Sequence, residues 1–208
     1  MRKLSNAAAA ALALAAILAQ AADAPPRRAE AARLMNELMS GTVPIGGDFA
    51  LTDPQGKRVR LADFRGRIVL LYFGFTTCPD ICPTDLLAIG EAVKALGKEG
   101  DAVQPIFVTL DPKRDTRKVI GAYAANFHPR FVALTGTEAE VRKVASAYKV
   151  FYEKVTLPGA RTYTIDHAAF TFLIGRDGKY IGIFPPGTPP ERMATLLRDE
   201  LERKSGSG

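Results

Sequence analysis

Three side chains offer chemistry that an ordinary core or surface residue does not. Cys78 and Cys82 stand four positions apart in Cys78-Pro79-Asp80-Ile81-Cys82-Pro83, and His167 follows Asp166 much later in the chain. The bland reading of two cysteines is one structural disulfide. A disulfide stabilises in the chain-entropy model by the loop it closes, and a four-residue separation closes almost nothing. The spacing therefore favours a metal or redox site over a staple, without choosing between the two. His167 adds an imidazole. A single histidine is more often structural than a ligand, but two thiolates and one imidazole form a set that suits copper, and zinc would accept it too. Asp166 is a candidate to orient the imidazole from behind, with an ordinary surface aspartate as the alternative.

These residues need elements to hold them. Ile68 to Phe75 is an unbroken apolar run of strand length, as expected of a central strand covered on both faces. The cysteines follow at its end. Leu86, Ile89, Val93 and Leu96 then recur at helical spacing within Thr84 to Leu96. Pro83 disfavours a helical Cys82 and suits the first helical position, so Cys82 reads as the cap and Asp85 as first-turn. The positive end of the helix would face the thiols and favour thiolate.

Further along, the patterning predicts strands over Val103 to Leu110 and Phe131 to Leu134, and helices over Thr116 to Phe127 and Glu138 to Tyr148. Phe151 to Val155 is a further extended piece. Ala168 to Ile174 and Tyr180 to Phe184 flank an Arg176-Asp177-Gly178 turn, and a last helix runs from about Pro190 to Leu201. Before the core, Phe49 to Leu51 and Arg58 to Leu61 read as a hairpin around Asp53-Pro54-Gln55-Gly56. The order suits an α/β three-layer sandwich with a mixed sheet. His167 is expected on a loop facing the cysteines.

Composition bounds the rest. A chain of 208 residues, 47% of them apolar, supports one substantial core. Arg2 and Lys3, the Ala/Leu/Ile run from Ala7 to Ala19, and Ala19-Gln20-Ala21 have the layout of a signal peptide over residues 1–21. Export is expected, to the periplasm or the periplasmic face of the inner membrane. The run is short for a membrane span, so cleavage after Ala21 is favoured over an uncleaved anchor that would tether the domain. No cysteine lies nearby, which excludes a lipoprotein. Residues 22–45 read as linker, with a helix-like stretch from Ala29 to Met39. Residues 46–203 read as the folded domain and residues 204–208 as a flexible tail. Losing Arg2 and Lys3 lowers the formal charge from +6 to +4. The basic residues are scattered and accompany no nucleic-acid motif, which argues against nucleic acid as a partner.

Several segments together resemble the Sco/SenC family. They are Gly47-Asp48-Phe49, Asp63-Phe64-Arg65-Gly66, the run Tyr72 to Pro83, Asp111-Pro112-Lys113-Arg114-Asp115-Thr116, and Asp166-His167. The resemblance implies a thioredoxin-like fold with an added N-terminal β-hairpin. It also implies copper, as Cu(I) or Cu(II), on Cys78, Cys82 and His167, and a role in assembling the binuclear copper (CuA) centre of cytochrome c oxidase. The expected partners are an apo copper acceptor, with oxidase subunit II foremost, and a thiol reductant protein acting on a redox-active Cys78–Cys82 disulfide. Two positions depart from the family pattern. Lys113 stands where glutamate is common, and Ala168 where a hydroxyl residue is common.

The leading expectation is a metallochaperone that turns over no substrate. The rival is a thiol–disulfide oxidoreductase keeping the acceptor's cysteines reduced; its usual mark is a two-residue gap, and this chain has three. A peroxidase would not require His167, and a copper-responsive redox sensor shares every feature of the first reading. The Asp111 to Thr116 segment reads as a loop flanking the site or as a helix start capped by Asp115 or Thr116. His128 reads as a helix-end histidine. Tyr72, Phe73, Phe75 and Phe170 read as core.

Overall fold

The computed structural model describes residues 33, 36, 37, 45–156, 158–160 and 162–203. The expected signal peptide, most of the expected linker and the expected tail lie outside the described residues. The chain divides into two compact units, Met1–Thr42 and Val43–Gly208. In the first, Arg33, Asn36 and Glu37 are helical and Arg33 pairs with Glu37 one turn on. In the second, Ile45 is already buried, one residue ahead of the expected boundary. Among the described residues no helix is long and apolar enough to cross a membrane.

The second unit is built on a five-stranded main sheet. β1 (Ala50–Thr52) and β2 (Arg58–Arg60) form the antiparallel hairpin, with Asp53 Oδ1 accepting from the backbone N–H groups of Gln55 and Lys57 to shape its turn. β3 (Ile68–Gly74) is buried at every position, as its unalternating sequence requires. Then come α1 (Ile81–Ala95), β4 (Val103–Thr109), α2 (Arg117–Ala125), β5 (Val132–Leu134) and α3 (Glu138–Ala147). β6 (Tyr152–Val155) and β7 (Thr164–His167) follow, then β8 (Thr171–Ile174), β9 (Tyr180–Phe184) and α4 (Pro190–Arg203). The main sheet has the order β5-β4-β3-β8-β9, parallel through its first three members and antiparallel through β8 and β9. The expected mixed sheet is present.

Register decides which face each helix covers. Tyr72 pairs with Phe107, and this face meets α2 through Tyr123, whose ring lies 5.6 Å from that of Phe107. Helix α1 lies on the same face, because Cys82 packs against Gly74 and Tyr72. α4 joins it, Arg198 donating to the carbonyl of Ala95 at the end of α1. The opposite face carries Phe73 and Phe172, packed edge-on 5.9 Å apart, and both rings meet Tyr148 at the end of α3. The three layers are thus helices, sheet, and α3. Thr116 caps α2 and Thr137 caps α3, the latter in a capping box with Glu140.

Three local expectations need correction. Helix α1 begins at Ile81, with Asp80 at the cap position, so Cys82 lies inside the first turn instead of capping it. Pro83 is tolerated there because the first N–H groups of a helix have no intrahelical acceptor. The strand predicted from Ala168 begins only at Thr171, and Thr164–His167 is itself a strand, paired with β6 in a separate two-stranded ribbon. His167 therefore ends a strand rather than sitting on a loop. The short run Thr164-Ile165-Asp166-His167 has too few residues to announce its period.

Gly74 closes β3 beneath Cys82. A Cβ there would lie 2.9 Å from Cys82 Sγ and 2.9 Å from the Tyr72 ring, both held in the core. Replacing glycine by alanine usually gains about 0.4–1 kcal/mol where the backbone permits it, but overpacking of this kind costs about 1–3 kcal/mol. Gly74→Ala should therefore destabilise the domain. Urea unfolding of reduced, metal-free protein measures it, and equal or higher stability would refute the close approach.

Candidate metal centre

The site forms where the end of β3, the start of α1 and the end of the β6–β7 ribbon meet. Cys78 sits in the short loop after β3 and is partly exposed. The Cys82 backbone N–H donates to Cys78 Sγ at 3.5 Å, so this sulfur satisfies a helix-start donor that the Asp80 side chain leaves unmet. Cys82, fully buried, points its sulfur at the sheet. His167 comes from 85 positions away, yet its Nε2 lies 3.4 Å from Cys82 Sγ. One ligand atom from each of the three lies within 4.8 Å of the others, close enough for one ion to touch all three with small adjustments. Phe75 packs edge-on against the imidazole at 5.8 Å and is itself buried.

The ring is thus wedged with Nε2 toward the sulfurs. Its Nδ1 is buried and accepts or donates no hydrogen bond among the described residues. Asp166, the candidate to orient it, is exposed. Successive residues of a strand point to opposite faces, so in β7 Asp166 and His167 cannot share one. The imidazole is held by packing and not by a carboxylate.

Electrostatics divides the two thiols. Cys78 is held far below the usual thiol range, to about 4. The chief cause is the hydrogen bond it receives from Cys82, helped by His167 and by the backbone N–H groups of Asp80 and Cys82, against a smaller effect of burial. Cys82 is pushed up, first by the neighbouring Cys78 thiolate and then by burial. The pair thus shares one proton, kept on the buried sulfur. The same buried pocket holds Tyr72, whose hydroxyl donates to Asp85 Oδ2 at 3.3 Å, while Asp85 Oδ1 accepts from the Gly187 N–H at 2.9 Å. Burial raises both groups.

Tyr72 reads as plain core from the sequence, but it is a polar neighbour of the site. The signal was available in part, because Asp85 falls three positions after Cys82 on the same helical face. Thr116, not Asp115, caps α2. Asp115 instead turns inward, is buried, and accepts from the Thr76 backbone N–H at 2.9 Å and from Thr109 Oγ1 at 2.6 Å. Phe73 and Phe75 are core and Phe170 is half-buried. His128 stays apart from the site, its Nδ1 accepting from the Arg130 N–H at 3.2 Å.

The division of the thiols has a direct readout. In reduced, metal-free protein, iodoacetamide should modify Cys78 well before Cys82, and the Cys78 rate should fall only as pH drops toward about 4. Peptide mapping across a pH series measures both. Equal rates at the two cysteines, or a Cys78 midpoint in the ordinary thiol range, would contradict the arrangement.

Known proteins resemble this chain in sequence and in fold. Residues 38–202 match the protein-family model described as SCO1/SenC. A SCO2-like protein of Rickettsia conorii is 43% identical over 159 residues, which span 76% of this chain and 78% of that one. Among solved structures, Bradyrhizobium japonicum ScoI with copper bound superposes with a TM-score of 0.69 at 40% identity, covering 75% of this chain and 99% of that one. BsSco, described with a disulfide switch and as a member of the Sco family of cytochrome c oxidase assembly proteins, matches with a TM-score of 0.59 at 25% identity, covering 77% and 94%. With the fold, the extent of the match and the identity all in agreement, this chain belongs to the SCO1/SenC family.

Proposed function

We propose that this chain is a copper metallochaperone that holds one copper ion on Cys78, Cys82 and His167 and passes it to an apo acceptor. The observation that carries the reading is the convergence of two thiols and one imidazole within 4.8 Å, from segments otherwise far apart in sequence. The donor set is soft, as copper prefers, and three protein ligands leave a position open for an incoming one. Cys78 is partly exposed while Cys82 is buried. That asymmetry suits ligand exchange, in which an acceptor's thiolate approaches from the side of Cys78. The fit to copper is supported by ScoI, a relative whose structure contains it.

The acceptor we favour is subunit II of cytochrome c oxidase, with assembly of its CuA centre as the outcome. Support comes from the family resemblance and from BsSco, described among oxidase assembly proteins. The site of action on this reading is the periplasm or the periplasmic face of the inner membrane, supported by the leader-like sequence of residues 1–21.

A second reading is favoured by one observation. An ionised, accessible Cys78 beside a protonated, buried Cys82 is also the arrangement of a dithiol reductant. On this reading the pair keeps the acceptor's cysteines reduced and is itself restored by a thiol reductant protein. His167 separates the two, because disulfide exchange needs only the sulfurs.

Three outcomes are expected. Reduced protein should bind one copper per chain by metal analysis, and protein with a verified Cys78–Cys82 disulfide should bind almost none. His167→Ala should remain folded by circular dichroism, bind copper more weakly and falter in transfer, yet retain the parent's disulfide reduction; unchanged binding and transfer would favour the reductant. The apparent copper affinity should also rise with pH, since Cys78 is already ionised at neutral pH and Cys82 must release its proton to the solvent. One proton lost corresponds to about tenfold per pH unit. A pH-independent affinity would show that Cys82 is not a ligand.

A further inference from the structure

The two cysteines are fixed by the main sheet and by α1, but His167 is not. It ends a two-stranded ribbon that lies outside the hydrogen-bonded ladder of the five-stranded sheet. Phe75 packs on the ring and the Ala168 N–H donates to the Phe151 carbonyl, and contacts at the root of the ribbon must add to these in setting its distance from the sulfurs. Tyr163, the residue just before β7, supplies them. The Tyr163 hydroxyl donates to both oxygens of Asp111, at 2.9 and 3.2 Å. Arg114 stacks its guanidinium 3.9 Å over the Tyr163 ring. It also donates from Nη1 to the Tyr163 carbonyl at 2.8 Å and from Nε to Asp111. One arginine thus grips the ring, the backbone and the carboxylate that receives the hydroxyl.

Asp111 is completely buried. A carboxylate in that position persists only when its acceptors are filled, and Tyr163 and Arg114 fill them. The contacts continue inward from there. The Asp111 N–H donates to Thr109 Oγ1 at 2.9 Å, Thr109 Oγ1 donates to Asp115 at 2.6 Å, and Asp115 accepts from the Thr76 N–H at 2.9 Å and hydroxyl at 2.5 Å. Thr76 is two residues before Cys78. One chain of hydrogen bonds therefore runs from the root of the His167 strand, through the loop after β4, to the loop that carries Cys78.

We propose that Tyr163, gripped by Arg114 and Asp111, is a latch that positions His167 against the two sulfurs, and that the buried Asp111–Thr109–Asp115–Thr76 chain sets the spacing between the two halves of the site. Tyr163, Arg114 and Asp111 are positioning residues, since none of them is among the three ligands. The proposal rests on the copper reading for its function, but the latch itself is a property of the metal-free protein.

The test uses both states. Tyr163→Phe removes one hydroxyl while keeping the stacked ring, and Arg114→Lys keeps the charge but loses the planar, multiply bonded grip. In the reduced, metal-free protein, amide hydrogen exchange of Thr164 to His167 should accelerate by about ten- to a hundredfold in either variant, the effect of losing a hydrogen bond to a charged group. Exchange in β3 and β4 should stay within about threefold of the parent. In the double variant the effects should fall short of the product of the single ones, because both act through one carboxylate. With Cu(II) added, Tyr163→Phe should keep one copper per chain but show a weakened nitrogen signature in its electron paramagnetic resonance spectrum, shifted toward that of His167→Ala.

Unchanged ribbon exchange in both variants would overturn the latch. So would acceleration spread equally through β3 and β4, which would make Tyr163 a general stabiliser. Ribbon-confined acceleration with an unaltered copper spectrum would overturn the positioning role. If the parent and His167→Ala bind copper with identical spectra, the three-ligand reading fails instead, and the exchange data still judge the latch.

Discussion

The architecture depends on one close approach, that of the first turn of α1 to the last residue of β3. A side chain at position 74 would prise them apart, and only glycine lets Cys82 settle against the strand. Once it settles there, much follows. The sulfur is removed from water, its proton is retained, and Cys78, at the mouth of the same turn, becomes the partner that carries charge. The pair is chemically unequal although the two residues are of one type and four positions apart. Burial and one shared proton create the inequality.

A second constraint is carboxylate burial. Asp85, Asp111 and Asp115 are all buried in or beside the site, an arrangement that costs several kcal/mol for each unpaired ion. Each is satisfied differently. Asp85 accepts from Tyr72 and the Gly187 backbone, Asp111 from Tyr163 and Arg114, and Asp115 from two threonines and the backbone of Thr76. Their donors come from segments distant in sequence, and so the loops around the sulfurs are fixed without a sheet ladder to fix them.

How far the sequence reveals this depends on the range of the interactions. β3 is legible because seven consecutive buried positions leave a continuous apolar run, and α2 and α3 because their buried residues recur at helical spacing, Ile120 with Ala124 and Val141 with Val144 and Ala145. The cysteines are legible as a pair through their place between a buried strand and a helix start and through their spacing. The start of α1 is not, because Pro83 argues against a helical Cys82 while the geometry of the turn tolerates it. The ribbon strand ending at His167 was too short to show a period, and with it went the role assigned to Asp166, which strand alternation turns to solvent. Asp111, Arg114 and Tyr163 were missed as a unit because their meeting is a property of tertiary structure, spanning 52 positions between Asp111 and Tyr163. The family resemblance flagged the Asp111 to Thr116 segment, but nothing in its local pattern says which side chain turns inward.

The distance along the chain between Cys82 and His167 has a consequence for folding. A disulfide between Cys78 and Cys82 restrains hardly any of the unfolded ensemble, whereas an ion bridging Cys82 and His167 ties together positions 85 residues apart. On the copper reading, cargo is then a reversible crosslink, and the loaded chain has far fewer expanded conformations open to it than the empty one. Delivery of the ion would leave behind a chain that opens more readily, first at the ribbon and to whatever proteases share its compartment. The lifetime of the molecule would in that case report occupancy, with spent molecules cleared sooner than charged ones.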